Sequence, residues 1–253
     1  MGLNDVIEAI PRKTMVLFFL LDTSGSMGGS KIGAVNTAIE EVIPDLRELS
    51  ASNADALVKA AVLEFSSDVR WITPEGPVDV ENFKWQYLDA GGNTSMGGAF
   101  RELADKLSTK AFMKEATGSF APAFFLLSDG EPTDDFAGGL AELKNNNWFK
   151  HGIKAAVAIG EDANKTRLAE FTGGIESVLD VHNAAMLKRM IKFVSVRASQ
   201  VASRSVQVQA PSGAVADPSG APVFETTAKQ QELNAQLAEI AAESKSDPQE
   251  EEW

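Results

Sequence analysis

Seven consecutive apolar residues at positions 15–21, MVLFFLL, stop at Asp22 and give way to TSGSMGGS. A strand with one solvated face alternates apolar and polar side chains, and this run does not alternate, so both of its faces must be covered by other parts of the chain. It is also far too short to cross a bilayer. The run therefore predicts a central strand of a parallel sheet with helices on both sides.

The following segments fit that arrangement. Ile32, Val35, Ile39, Val42, Leu46 and Leu49 recur every three or four residues, which predicts an amphipathic helix over 30–49, with Ser30 as its cap and Pro44 as a possible bend. Residues 57–65 and 69–72 predict two strands joined by Ser66, Ser67 and Asp68 as a hairpin. Helical spacing of Phe100, Leu103, Leu107 and Phe112 predicts a helix over 97–116. A short buried strand is expected at 123–127, a helix at 136–147, a third buried strand at 153–159 and a last helix at 185–203. Strand, loop and helix repeated in this way describe an α/β domain.

Past residue 203 the chain becomes rich in proline, glycine, serine and alanine, then ends in SDPQEEEW. From residue 212 onward it holds nine acidic and two basic residues, more than half of the formal net charge of -13. These features predict residues 1–11 as an N-terminal segment, 12–203 as the domain, and 204–253 as a flexible acidic tail with one short helix striped by Leu233, Leu237 and Ile240. The negative field opposes nucleic acid and anionic membranes and favours a cation or a basic partner. There are no cysteines, which excludes disulfides, thiolate metal sites and thiol nucleophiles. The start, MGLNDVIEAIPRK, lacks the pattern of a secretory leader, and the expected location is cytoplasmic.

The loop leaving the first strand presents a carboxylate, Asp22, and two hydroxyls, Ser24 and Ser26, among small residues that let the backbone fold tightly. These are hard oxygen donors of the kind Mg²⁺ takes. The same residue types also cap helices, and taken alone the loop is open to either reading. Two further loops resemble it: AGGNTS offers Thr94 before a helix, and FFLLSDG ends a buried strand on Asp129. In an open parallel sheet the carboxyl ends of the strands share one edge, so Asp22 and Asp129 are expected to converge there.

At this point the chain resembles the von Willebrand factor type A (VWA) domain family, whose metal-ion-dependent adhesion site combines a DxSxS motif, a threonine from a second loop and an aspartate from a third. The parts occur here in that order, as Asp22, Ser24, Ser26, Thr94 and Asp129. The resemblance implies a Rossmann-like three-layer α/β fold, with a mostly parallel central sheet, one antiparallel edge strand and helices on both faces. It implies Mg²⁺ or Mn²⁺ held closely by Ser24, Ser26 and Thr94, with Asp22 and Asp129 acting partly through waters. It further implies an open position on the ion, filled by an Asp or Glu carboxylate of a partner protein. The loops GGNTSMGGAF and LLSDGEPTDD are most similar to bacterial VWA proteins of tellurium-resistance and stress systems. Two alternatives compete with a non-enzymatic interaction module: a hydrolase using Asp22 and Asp129, and a scaffold whose metal site is vestigial. Asp134 and Asp135 are expected to cap a helix. His151 and His182 are too far apart to suggest a shared ligand set.

Overall fold

The apolar run forms β1 (Lys13–Asp22), which is buried along nearly its whole length. On one side it pairs in parallel with β2 (Ala56–Phe65), from Lys13 opposite Ala56 to Asp22 opposite Phe65. On the other it pairs in parallel with β5 (Ala123–Ser128), from Leu17 opposite Ala123 to Leu21 opposite Leu127. β6 (Ile153–Ile159) and β7 (Val178–Val181) continue the parallel sheet beyond β5. β3 (Val69–Trp71) closes the opposite edge, antiparallel to β2, and the two-residue β4 (Val78–Asp79) is also antiparallel to β2. The order is β3-β2-β1-β5-β6-β7. The computed structural model describes residues 12–114, 118–181, 185–193, 196, 231, 234 and 235.

Both faces of β1 are covered, which is why its sequence shows no alternation. Met15, Leu17, Phe19 and Leu21 pack in one core with α1 (Ser30–Ser52) and α6 (residues 185–193), while Val16, Phe18 and Leu20 pack in a second. The second core takes its apolar faces from α2 (Met96–Lys106), α3 (Phe136–Asn145), α4 (Asn147–His151) and α5 (Lys165–Thr172). The parallel register puts like rings side by side: Phe18 stacks on Phe124 at 5.3 Å, and Phe19 on Phe125 at 4.9 Å. Lys188 and Lys192 of α6 reach Glu41 and Asp45 of α1.

The structure departs from the sequence reading at several boundaries. The residue before α1 is Gly29, at φ 74°, and Ser30 is already helical, so Ser30 is not the cap. Pro44 lies inside α1, which continues to Ser52. α2 stops at Lys106, ten residues before the expected end, because the chain then folds back on itself: the Phe112 N–H bonds the Lys106 carbonyl. Phe112 instead packs against Trp71, edge to face at 4.7 Å. The helix expected over 136–147 is two helices, since Asn146 caps α4 by accepting from Trp148 and Phe149 N–H. β4, α5 and β7 were not expected.

Asn234 is buried, takes a 2.6 Å hydrogen bond from the Ser177 hydroxyl and donates to Glu176, so this part of the tail packs beside β7. Trp253 and the apolar stripe of Leu233, Leu237 and Ile240 lie outside the described residues. Among the described residues, no helix is long and apolar enough to cross a membrane.

Candidate metal centre

Asp22 ends β1 beside Ser128, the last residue of β5, because the parallel register brings the carboxyl ends of the two strands level. Its carboxylate is buried and held from both sides. Oδ1 accepts the Ser24 N–H at 2.9 Å and Oδ2 accepts the Ser128 hydroxyl at 2.6 Å. Burial pushes the Asp22 carboxyl above its ordinary range, against these hydrogen bonds, and the nearby charge of Asp129 pushes the same way. The turn at Ser24 brings its hydroxyl 3.1 Å from that of Ser26. Ser24 is buried and Ser26 is exposed, so the hydroxyl pair spans the distance from the interior to the surface.

Asp129 follows directly on β5 and is 2% exposed. Its two oxygens differ. Oδ2 lies 3.5 Å from the Lys31 ammonium, whereas Oδ1 is buried with no hydrogen-bond partner. A buried carboxylate oxygen without a donor is costly, and its natural complement is a cation. Among the described residues no group of three or more His, Asp or Glu could form a metal cage. The candidate site accordingly rests on hydroxyls supplemented by two carboxylates, a donor set that suits a hard divalent cation.

Thr94 enters on the long connection between β4 and α2, which is fastened at several points. The buried Asn36 side chain of α1 clasps both the N–H and the carbonyl of Leu88, and Arg47 bonds the carbonyls of Val80 and Phe83. Loop 90–95 is then stitched to its neighbours. The Gly91 N–H bonds the Thr23 carbonyl at 2.8 Å and the Gly25 N–H bonds the Gly92 carbonyl at 3.0 Å. Thr94 itself exchanges two hydrogen bonds with Thr133, which joins it to the loop that carries Asp129. Thr94 is buried, and these bonds place it between the loops of Asp22 and Asp129.

Asp134 and Asp135 act as caps, as expected, with an addition. Asp135 caps α3 through the Gly138 N–H and pairs with Arg101. Asp134 caps α2 across the loop junction, accepting from Gly97 and Gly98 N–H at 2.9 and 2.7 Å. His151 precedes the amino end of β6, at the opposite edge of the sheet from Asp22 and Asp129, and His182 lies outside the described residues.

Ser128, Thr133 and Lys31 escaped the sequence reading. Ser128 stands inside the quoted LLSDG string, and its neighbour Asp129 drew attention away from it. Its hydroxyl is fully buried, donating to Asp22 and accepting the Gly130 N–H at 2.8 Å. Ser128→Ala removes both partners at once and leaves a buried carboxylate oxygen bare. The expected cost is about 2 kcal/mol, seen as a lower urea midpoint with an unchanged slope.

A model of the family described as von Willebrand factor type A domain matches residues 17–193. Inter-alpha-trypsin inhibitor heavy chain H1 from Bos taurus is 25% identical over 175 residues, covering 66% of this chain and 19% of that protein, so the chain spans about a fifth of this curated relative. Among solved structures, proximal thread matrix protein 1 from the mussel byssus, with a zinc-occupied MIDAS motif, superposes with a TM-score of 0.54 at 15% identity, over 74% of this chain and 48% of that one. The manganese-loaded TRAP protein of Plasmodium vivax gives a TM-score of 0.50 at 18% identity, over 71% and 72%. At these identities the likeness to the solved structures is one of fold.

Proposed function

This chain belongs to the von Willebrand factor type A domain family, and on that premise we propose that it is a non-catalytic module that binds a protein partner through a divalent cation held by Asp22, Ser24, Ser26, Thr94 and Asp129. One observation carries the reading. Asp129 Oδ1 is buried without a partner at the sheet edge where the Asp22 carboxylate and the Ser24–Ser26 hydroxyl pair also lie. Two structural relatives are a mussel protein with a zinc-occupied MIDAS motif and a manganese-loaded Plasmodium protein. For this chain the all-oxygen donor set favours Mg²⁺ or Mn²⁺ over a softer ion. When bound, the cation supplies an electrophilic position that accepts a carboxylate oxygen from a partner's Asp or Glu. Asp22 orients the Ser24 backbone, Ser26 brings an oxygen to the surface, and the Thr94–Thr133 exchange keeps the third loop in register with the other two. The resemblance of loops 91–100 and 126–135 to bacterial stress and tellurium-resistance proteins supports that cellular setting.

A hydrolase built on Asp22 and Asp129 finds less support. The described histidine, the side chain such a reaction would most readily use to move a proton, stands at the far edge of the sheet. The test is calorimetric titration of Mg²⁺ and Mn²⁺ into the full chain and into Thr94→Ala, which is expected to bind about tenfold more weakly. In parallel, both proteins serve as bait in host extract with and without chelator. A partner held by the wild type only when the cation is present supports the reading. Cation binding that is absent, or that does not change in Thr94→Ala, defeats the site.

A further inference from the structure

Lys31 is the second residue of α1, the end of a helix where backbone N–H groups disfavour a cation. It nevertheless does not turn out into solvent: its side chain is only 16% exposed. The ammonium reaches back over the carboxyl edge of the sheet, 3.1 Å from Asp162 Oδ1 and 3.5 Å from Asp129 Oδ2. It passes close over the turn after β6. Gly160 there has φ +91°, and a Cβ at that position would lie 2.5 Å from Lys31 Cε and 2.9 Å from its Nζ. The aliphatic stem of Lys31 thus runs over Gly160, and its charged end meets the carboxylate with the orphaned oxygen.

Asp22, Asp129 and the largely exposed Asp162 lie at this edge of the sheet, and among the described residues the cation that meets Asp129 is Lys31. We propose that Lys31 is a tethered counter-cation of the metal centre: it neutralises Asp129 when no divalent ion is present and, by holding Asp129 Oδ2, weakens divalent binding. This proposal rests on the assignment of Asp129 to the cation site made above. Lys31 is a positioning residue, since it touches a candidate ligand and not the ion. It makes the domain stable without metal and the metal exchangeable, which suits a contact formed and broken with a partner.

Three variants test this in the full chain: Lys31→Met, Asp162→Asn and the double substitution. The readouts are the calorimetric Kd for Mn²⁺ and for Mg²⁺, and the melting temperature in chelator. Lys31→Met keeps the length of the stem and removes only the charge. Its Kd is expected to fall about tenfold, because a unit charge a few ångströms from a divalent ion is lost in a partly buried setting. Its melting temperature in chelator is expected to drop, and the rise on adding cation to exceed that of the wild type. Asp162→Asn frees Lys31 for Asp129 alone, so binding is expected to weaken in the wild-type background and to be unaffected in the Lys31→Met background. That coupling separates Lys31 from a general effect of surface charge. If the wild type binds the ion and Lys31→Met binds equally or more weakly, the proposal fails while the site assignment stands. If the wild type binds no ion at all, the site assignment fails and the proposal with it.

Discussion

Gly139→Ala is expected to destabilise the domain by about 3 kcal/mol, whereas Gly33→Ala, in α1 on the opposite face of the sheet, is expected to stabilise it by about 0.5 kcal/mol. Both glycines lie within helices and differ in their surroundings. α2 and α3 cross with their backbones in direct contact. A Cβ on Gly139 would lie under 3.0 Å from the Gly97 carbonyl oxygen, and a Cβ on Gly97 would meet the Asp135 carbonyl just as closely. Backbone cannot rotate away as a side chain tip can, so the two helices must separate, and with them Phe100 and Phe136, whose rings pack at 5.6 Å. Gly33 faces open space in α1, and there alanine only reduces the freedom of the unfolded chain. For a domain of this size the expected fall in melting temperature for Gly139→Ala is roughly 6–12 °C. The crossing also bears on the site: Asp134 caps α2 from the loop that begins at Asp129, and Thr94 lies two residues before α2. Gly139→Ala should therefore also weaken apparent cation binding to the extent that the variant is unfolded, while a melting temperature equal to the wild type would show that the crossing can relax without cost.

The parts of the fold legible in the sequence are those whose signal is local. β1 announces itself because burial on both faces removes alternation, and the β2–β3 hairpin because Ser66, Ser67 and Asp68 separate two apolar runs. α5 was hidden because KTRLAEFT buries few apolar side chains, Leu168 and Phe171, on one short face. β7 was hidden because four residues, VLDV, make too short a run to stand out. Past the end of α2 the chain folds back and Phe112 packs on Trp71, a tertiary contact invisible to helical spacing. The candidate site shows the same division. Asp22, Ser24 and Ser26 lie within one loop and are readable as a motif. Ser128 and Lys31 act on partners 106 and 131 residues distant, Asp22 and Asp162, and neither has a spacing signature. Lys31 was further disguised by its position at a helix start, where sequence rules expect acids.

Asp22→Asn is expected to raise stability in the absence of cation and to remove most of the stabilisation that cation provides. Asp22 is fully buried, and its carboxyl is held above its ordinary range chiefly by desolvation. A carboxyl whose folded pKa is raised contributes stability below its unfolded pKa, and that contribution is lost as pH rises through the folded value. Once pH exceeds that folded value, the penalty is fully in force. Asparagine keeps the shape, retains an oxygen for the Ser24 N–H, and presents an NH₂ that the Ser128 hydroxyl oxygen can accept. The variant should therefore melt higher than the wild type in chelator, by about 1 kcal/mol. Adding Mg²⁺ or Mn²⁺ reverses the order. Binding to the folded state alone stabilises the wild type by about 2.7 kcal/mol at a hundred times Kd, while the variant, with affinity reduced roughly a hundredfold, gains little at the same concentration. The crossing of the two melting curves as cation is added is the expected signature of a site that gives up stability in order to hold an ion. A variant that melts lower than the wild type in chelator and still gains from cation would instead make Asp22 a structural carboxylate with no part in holding the ion.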